Sequence, residues 1–214
     1  MRPYSAVIFD MDGVIVDSEP RHEQTFRDIF HELGYGDRHG IHFPNYYGRS
    51  DRALWDDFIA KHRPSQSLEA LTELKQNRFL DNIRAAQPIF AGVPELVAKL
   101  APVTRLAVAS GSLHVVIETV LAMRDLKRHF PVVVSVQDVA RPKPAPDVFL
   151  RAAEHLGVAA SECVVIEDSA AGVAAARAAN MRVIAITNTL AADQLRDAHA
   201  VVTNYEAIER LLLG

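Results

Sequence analysis

Near the start of the chain, a short apolar run ends abruptly in two carboxylates and a glycine. The sequence there is Tyr4-Ser-Ala-Val-Ile-Phe9, followed by Asp10-Met-Asp12-Gly13. A nearly continuous apolar run is typical of a strand in the centre of a parallel sheet, because crossover helices cover both faces of such a sheet. Ligands of open α/β sheets bind beyond the carboxyl ends of the strands. The run therefore predicts a central strand, with Asp10 and Asp12 at a binding site directly after it.

Beyond residue 93 the pattern changes to an alternation of strands and helices. Helical patterns separate the predicted strands, as expected for successive β–α units. The alternation predicts an α/β fold, with a doubly wound, Rossmann-like parallel sheet and helices on both faces. The predicted strands after the first are 105–109, 132–135, 163–166, 182–186 and 200–202.

The stretch from residue 17 to residue 86 interrupts this alternation. It contains helical patterns and a loop rich in Gly, His, Asn, Tyr and Pro, but no convincing strand. We therefore expect a catalytic core formed by residues 1–16 and 87–214. Residues 17–86 are expected to form a small inserted α-helical cap domain.

The charge and composition of the chain bear on which kinds of partner it can bind and where it is expected to be found. The chain has 214 residues and a formal net charge of -4, which gives no electrostatic reason to expect nucleic acid or an anionic membrane as a partner. The lone cysteine, Cys163, is expected to pack as a small hydrophobe. The first apolar run meets Asp10 too soon for a signal peptide or a membrane span. We expect a cytoplasmic monomer.

Four polar clusters follow predicted strands, directly or after a short connection. Parallel pairing of the strands would bring all four to one edge of the sheet. Proteins usually hold Mg²⁺ with a few carboxylates and leave other positions on the ion for phosphate oxygens. A lysine and helix N-termini also favour a bound phosphate, because it is an anion. The sequence therefore predicts phosphoryl chemistry with Mg²⁺ at this edge. The clusters are Asp10 with Asp12, Ser110-Gly111-Ser112, Lys143, and Glu167 with Asp168.

In order and spacing, these four motifs resemble those of the haloacid dehalogenase superfamily, over essentially the whole chain. The helical insert directly after the first motif resembles the α-helical cap of the phosphatase and β-phosphoglucomutase branch. The resemblance implies a Mg²⁺-dependent phosphomonoesterase. Such an enzyme would hydrolyse a small phosphorylated metabolite, for example a sugar phosphate, through an aspartyl-phosphate intermediate.

The resemblance also implies a role for each motif residue. Asp10 would attack phosphorus, and Asp12 would protonate the leaving oxygen and then activate water, while its backbone carbonyl meets the metal. Lys143 would be catalytic, because it keeps Asp10 and the phosphoryl group from repelling each other. The implied metal-binding residues are Asp10, Asp12, Glu167 and Asp168. The implied phosphoryl-binding residues are Ser110, Gly111, Ser112 and Lys143.

Three cationic residues of the insert are candidates for substrate binding. His22 and Lys75 match positions that β-phosphoglucomutases occupy with a histidine and a lysine. Arg49 matches less well, since the mutases carry Gly-x-Ser-Arg and this chain has Asp51 at the place of that arginine. A bisphosphate needs a cation at the far end of its pocket, so this departure weakens the mutase alternative.

Two alternatives to the phosphatase stay open on the sequence. One is a β-phosphoglucomutase-type phosphoryl transfer, which is an isomerisation. The other is a catalytically inactive relative that acts as a binding module, although every acid and the lysine of the motifs are present. A dehalogenase is disfavoured because that branch needs no metal and lacks the second acid. A P-type ATPase is disfavoured because that group carries threonine at the position of Asp12 and is membrane-bound.

Overall fold

A computed structural model describes residues 4–46 and 51–214 of the chain. Contacts divide the chain into two compact units. Met1–Asp17 and Gln87–Gly214 form one of them, here called the core unit. Ser18–Ala86 form the other, here called the cap unit.

The core unit contains a six-stranded sheet in which every neighbouring pair is parallel. The strand order is β3-β2-β1-β4-β5-β6, so the first strand lies at the centre, where the order reverses. This is the Rossmann-like α/β fold that the sequence predicts. The strands are β1 (Ala6–Phe9), β2 (Arg105–Ala109), β3 (Val132–Val134), β4 (Cys163–Glu167), β5 (Arg182–Ile186) and β6 (Ala200–Val202).

The helices of the core unit pack on these strands through apolar faces. Ala6 and Ile8 of β1 belong to one buried cluster with Phe149 and Val173, which lie on the helices that follow β3 and β4. All four residues of β1 are fully buried, which explains why its sequence is uninterrupted by polar residues. The helices are α4 (Val93–Leu100), α5 (His114–Ala122), α6 (Asp147–Leu156), α7 (Ala170–Ala178) and α8 (Tyr205–Leu213).

Two strand ends differ from the sequence prediction in ways that bear on the site. The strand β3 ends at Val134, because the backbone N–H of Ser135 donates to the Asp138 carboxylate at 2.8 Å and begins a short turn. The strand β4 continues through Glu167, which is fully buried. Glu167 therefore belongs to the sheet and not to the loop after it, which restricts where its carboxylate can lie.

Within its described residues, the cap unit contains helices and connecting turns and no strand of the sheet. Its core is an aromatic cluster in which Phe26 and Phe30 meet Trp55 and Phe58, each of them buried. Within the described part of the chain, no helix combines the length and apolar character needed to cross a membrane. The helices of this unit are α1 (Glu19–Glu32), α2 (Asp51–His62) and α3 (Leu68–Ala86).

Candidate active site

The first strand delivers Asp10 into a tight turn at the carboxyl edge of the sheet. The backbone N–H of Asp10 still donates to Ile166 of the neighbouring strand, at 2.9 Å, and its side chain is buried. Gly13 has φ +72°, which favours glycine. A Cβ on Gly13 would lie 1.7 Å from Oδ2 of Asp168. Glycine at position 13 therefore permits the tight turn and also leaves space for the carboxylate of Asp168, which directly follows β4.

Lys143 joins two of the predicted motifs directly. Its Nζ lies 2.6 Å from Oδ1 of Asp10 and 2.7 Å from Oε1 of Glu167. Burial alone would lower the pKa of Lys143, but the two carboxylates outweigh burial and raise it. The lysine is therefore a fixed cation between the two acids.

Glu167 is held on both of its oxygens. Its Oε2 accepts hydrogen bonds from the N–H groups of Asp168 and Ser169 and from the Ser169 hydroxyl, at 2.8 to 2.9 Å. A Cβ on Gly172 would lie 1.6 Å from Oε1, so the helix α7 has room for this carboxylate only because position 172 is glycine. With Lys143 on the other oxygen, Glu167 is oriented by the protein itself.

Three acids meet at this edge of the sheet. Within the described residues, oxygen atoms of Asp10, Glu167 and Asp168 lie within 4.8 Å of one another. Burial, with a further contribution from the Glu167 charge, raises the pKa of Asp168 to about 7. Burial also raises the pKa of Asp10 well above its usual range, although the Lys143 ammonium opposes the shift. Neighbouring buried carboxylates repel one another when all are ionised, so a bound cation would stabilise them together. Their oxygen atoms are the ligands that Mg²⁺ prefers.

Asp12 faces a different partner, the loop after β2. Ser112 donates its hydroxyl to Oδ2 of Asp12 at 2.7 Å, and Ser110 lies 3.5 Å from the same oxygen. The loop is braced in turn, because the Ser135 hydroxyl donates to the carbonyl of Ser112 at 2.7 Å. Asp12 is not a member of the three-acid cluster that the described residues form. The implied metal contact of Asp12 is through its backbone carbonyl, and it stays a prediction.

The structure thus brings together the predicted residues of the core unit, and it adds several that the sequence analysis missed. The hydroxyl of Thr189 hydrogen-bonds the Asp168 carboxylate. Asn188 and Tyr205 bind the turn after Asp12. Only Ser169, which directly follows the Glu-Asp motif, and Gly172, three residues further on, had a local signal that could have revealed them.

In the cap unit, His22 and Lys75 form a pair. The Nζ of Lys75 lies 2.6 Å from Nδ1 of His22 and 2.6 Å from Oδ2 of Asp51, and the lysine is buried. The His22 ring stacks on Phe79 at 3.9 Å between centroids. Arg49, the third candidate, lies outside the described residues.

Comparisons with known proteins show which family the chain belongs to. A model of the family described as haloacid dehalogenase-like hydrolase matches residues 7–186. Fructose-1-phosphate phosphatase YqaB of Escherichia coli (strain K12) is 33% identical over 186 residues, which cover 83% of this chain and 94% of that protein. Protein SUPPRESSOR OF QUENCHING 1, chloroplastic, of Arabidopsis thaliana is 38% identical over 200 residues, covering 91% of this chain. Those residues span only 19% of the plant protein's length.

A solved structure shares the fold over nearly the full length of both chains. The crystal structure of β-phosphoglucomutase from Clostridium difficile has a TM-score of 0.76 and 26% sequence identity. The alignment covers 97% of this chain and 96% of that chain. The chain belongs to the haloacid dehalogenase-like hydrolase family, in the branch of phosphatases and β-phosphoglucomutases.

Proposed function

We propose that this haloacid dehalogenase-type phosphatase is a Mg²⁺-dependent phosphomonoesterase that acts on a small phosphorylated metabolite through an aspartyl phosphate. The observation that carries the proposal is the contact of the Lys143 ammonium with both Asp10 and Glu167. Positioning and charge neutralisation supply most of the catalysis in phosphoryl transfer. A buried nucleophile with a fixed cation beside it meets both needs.

In the first step, a carboxylate oxygen of Asp10 attacks phosphorus and the bond from phosphorus to the ester oxygen breaks. The leaving oxygen takes a proton from the carboxyl group of Asp12, so the alcohol departs neutral and Asp12 becomes a carboxylate. Lys143 lies within hydrogen-bond distance of the attacking side chain and offsets the charge that gathers there.

In the second step, water attacks the phosphorus of the aspartyl phosphate. Asp12, now ionised, accepts the proton of that water, and the bond from phosphorus to the Asp10 oxygen breaks. The products are inorganic phosphate and the original Asp10 carboxylate. The Ser112 hydroxyl, 2.7 Å from Oδ2 of Asp12, holds this acid and base in place through both steps.

The residues that would hold Mg²⁺ are Asp10 and Asp168, with Glu167 adjoining and the backbone carbonyl of Asp12 as the family resemblance implies. When bound, the ion supplies positive charge against the phosphoryl oxygens and neutralises the buried acids. Thr189 and Gly13 keep the Asp168 carboxylate in its position, one through a hydrogen bond and the other through the absence of a side chain.

A sugar phosphate is the substrate class we propose, because a relative with 33% identity is named a fructose-1-phosphate phosphatase. The cap unit supports a substrate with one phosphate. Asp51 stands where the mutases carry an arginine for a second phosphate, and its carboxylate binds the buried Lys75 at 2.6 Å. A carboxylate at this place weakens the binding of a bisphosphate. A cytoplasmic monomer stays a prediction of the sequence.

The test is a panel of phosphorylated metabolites, including p-nitrophenyl phosphate, assayed for phosphate release with Mg²⁺ and with a chelator. We expect release that needs Mg²⁺, is abolished by Asp10→Asn and is unchanged by Asp193→Asn, an exposed acid on the surface. Normal activity of Asp10→Asn would overturn the mechanism. A folded wild-type protein that releases no phosphate from any compound would instead indicate a binding module.

The second candidate is the mutase, which the likeness to a β-phosphoglucomutase structure favours. It predicts conversion of β-glucose 1-phosphate to glucose 6-phosphate, stimulated by traces of the 1,6-bisphosphate. Steady release of phosphate without such conversion would remove this candidate.

A further inference from the structure

Two residues from the C-terminal part of the core unit bind the turn that follows Asp12. The Nδ2 of Asn188 donates to the carbonyl of Gly13 at 2.8 Å and to the Tyr205 hydroxyl at 3.0 Å. The Tyr205 hydroxyl then donates to the carbonyl of Val14 at 2.7 Å. We call Asn188 and Tyr205 the C-terminal clamp.

The turn needs these donors because its own hydrogen bonds use other groups. The N–H groups of residues 14, 15 and 16 all point to the carbonyl of Met11, at 2.7 to 3.2 Å. The carbonyls of Gly13 and Val14 accept their hydrogen bonds from the clamp instead. A carbonyl left without a donor in a partly buried place is costly, so loss of the clamp favours rearrangement of the turn.

Tyr205 is fixed by its surroundings as well as by its hydroxyl. A Cβ on Gly92 would lie 2.7 Å from Cβ of Tyr205, so the tyrosine packs directly on the glycine backbone. Its ring also lies 6.1 Å from that of Phe90. Burial raises the pKa of Tyr205, which keeps its hydroxyl protonated as a donor to Val14.

The same tyrosine reaches two segments that run side by side. The N–H of Phe90 donates to the carbonyl of Ile15 at 3.1 Å, and the N–H of Asp17 donates to the carbonyl of Pro88 at 2.9 Å. One segment leads out of the core unit at residue 17 and the other returns to it at residue 87. The Tyr205 side chain contacts the first segment through its hydroxyl and the second through its ring.

We propose that Asn188 and Tyr205 are positioning residues for Asp12. By holding the carbonyls of the next two residues, they fix the backbone that carries Asp12, so that its carboxyl group reaches the leaving oxygen of the substrate. The inference rests on the proposed role of Asp12 as acid and base. It assigns a function to two residues that belong to none of the four sequence motifs.

Leaving-group chemistry separates this role from a merely structural one. An alkoxide needs a proton in order to leave, whereas p-nitrophenolate leaves readily without one. A misplaced general acid therefore slows phosphoryl transfer from an alkyl phosphate to Asp10 much more than transfer from p-nitrophenyl phosphate. A general loss of folded protein slows both equally.

The variants are Tyr205→Phe and Asn188→Ala, with glycerol 2-phosphate and p-nitrophenyl phosphate as substrates. The matched control is Tyr4→Phe. It also removes a tyrosine hydroxyl that donates to a backbone carbonyl, but this carbonyl belongs to Leu212 and not to the turn. General acids contribute about 10²- to 10⁴-fold, so we expect kcat/KM for glycerol 2-phosphate to fall about tenfold more than for p-nitrophenyl phosphate in the clamp variants alone. The ratio kcat/KM is compared because it reports the first step, whereas hydrolysis of the aspartyl phosphate is common to both substrates. Equal losses on the two substrates, or no loss, would overturn the proposal.

A second measurement does not depend on activity. Amide hydrogen exchange at residues 14–16 should speed up in Tyr205→Phe and Asn188→Ala and stay at the wild-type rate in Tyr4→Phe. If wild-type protein releases no phosphate from any compound of the panel, the proposed function fails, and if it does not hydrolyse both of these two substrates, the ratio is undefined. In both cases amide exchange decides on the clamp. Unchanged exchange in the clamp variants would then overturn the inference.

Discussion

The Nζ of Lys143 lies 2.6 Å from Oδ1 of Asp10, although 133 positions separate the two residues in the chain. The same ammonium group binds Glu167 at 2.7 Å, and the carboxylate of Glu167 is held from its other side by backbone N–H groups. The fold therefore fixes a cation beside the proposed nucleophile before any substrate arrives.

Replacement of this lysine should damage both catalysis and stability. In Lys143→Met, the buried acids Asp10 and Glu167 lose their shared partner. Removal of one electrostatic donor from an active site typically lowers kcat by about 10²- to 10³-fold, and we expect a loss of at least that size. Breaking a buried ion pair costs about 3 to 5 kcal/mol of unfolding free energy. Steady-state kinetics and urea unfolding measure the two effects.

The control is Lys99→Met, which removes an exposed lysine paired with Glu95 and Glu209. We expect little change in kcat or in the urea midpoint, because exposed ion pairs contribute little to stability. Similar behaviour of Lys143→Met and Lys99→Met would contradict the account of the lysine.

The second prediction concerns Gly172. An alanine in a helix is ordinarily more stable than glycine by about 1 kcal/mol. Here the added Cβ would lie 1.6 Å from Oε1 of Glu167, and overpacking of this kind costs about 1 to 3 kcal/mol. We therefore expect Gly172→Ala to destabilise the protein and to weaken Mg²⁺ binding, since Glu167 must move.

Calorimetric titration with Mg²⁺ and thermal unfolding provide the measurements for Gly172→Ala. The exposed Ala174→Gly on the same helix reports the ordinary helical preference without a clash. A Gly172→Ala protein that is more stable than wild type and binds Mg²⁺ normally would show that Glu167 does not need this space.

The third prediction is a pH dependence of the cap unit. Burial, together with the nearby Arg27 charge, lowers the pKa of His39 below its usual 6.5, and its Nδ1 accepts the N–H of Ile41 at 3.0 Å. The unfolded chain therefore binds a proton at a higher pH than the folded cap does. The stability that neutral His39 contributes is present above about pH 6.5 and is lost as the pH falls below that value.

Trp55, the one tryptophan of the chain, lies in the core of the cap unit and reports its unfolding by fluorescence. The urea midpoint should be lower at pH 5.5 than at pH 7.5, and the difference should shrink in His39→Asn. The exposed His155→Asn is the control and should keep the wild-type difference. If the urea midpoint of His39→Asn changed with pH as much as that of wild type, groups other than His39 would be responsible for the change.

The fourth prediction concerns the single cysteine. Cys163 is 1% exposed at the start of β4, and burial raises the pKa of its thiol to about 11. The reactive species is the thiolate, so we expect almost no reaction with a disulfide reagent at pH 8 in the folded protein. Addition of denaturant should release the reaction. Rapid labelling of folded protein would contradict the packing role of this residue.

The sequence was sufficient for the parts of the site that depend on topology. A strand buried on both faces favours apolar residues, so β1 appears as an apolar run before Asp10 and β4 as an apolar run before Glu167. Parallel strands end at the same edge, which is why residues 133 positions apart could be expected to meet.

The parts that the sequence could not reveal depend on single side chains that meet distant backbone groups. Asn188 reaches the Gly13 carbonyl over 175 positions, and no periodicity records such a contact. Helical spacing places position 75 on the buried face of α3, between Leu71 and Phe79, but it does not predict that the lysine there has Asp51 as its partner. These contacts depend on how elements pack, and a one-dimensional pattern does not contain that information.

The proposed mechanism depends on Asp10 carrying the phosphoryl group. The direct measurement is the intact mass of Asp12→Asn protein after acid quenching of a reaction with Mg²⁺ and p-nitrophenyl phosphate, followed by peptide mapping. Without its general base the aspartyl phosphate should accumulate, so we expect the added mass of one phosphoryl group on Asp10. A phosphoryl group on Ser110 or Ser112, or turnover at the wild-type rate by Asp10→Asn, would contradict it.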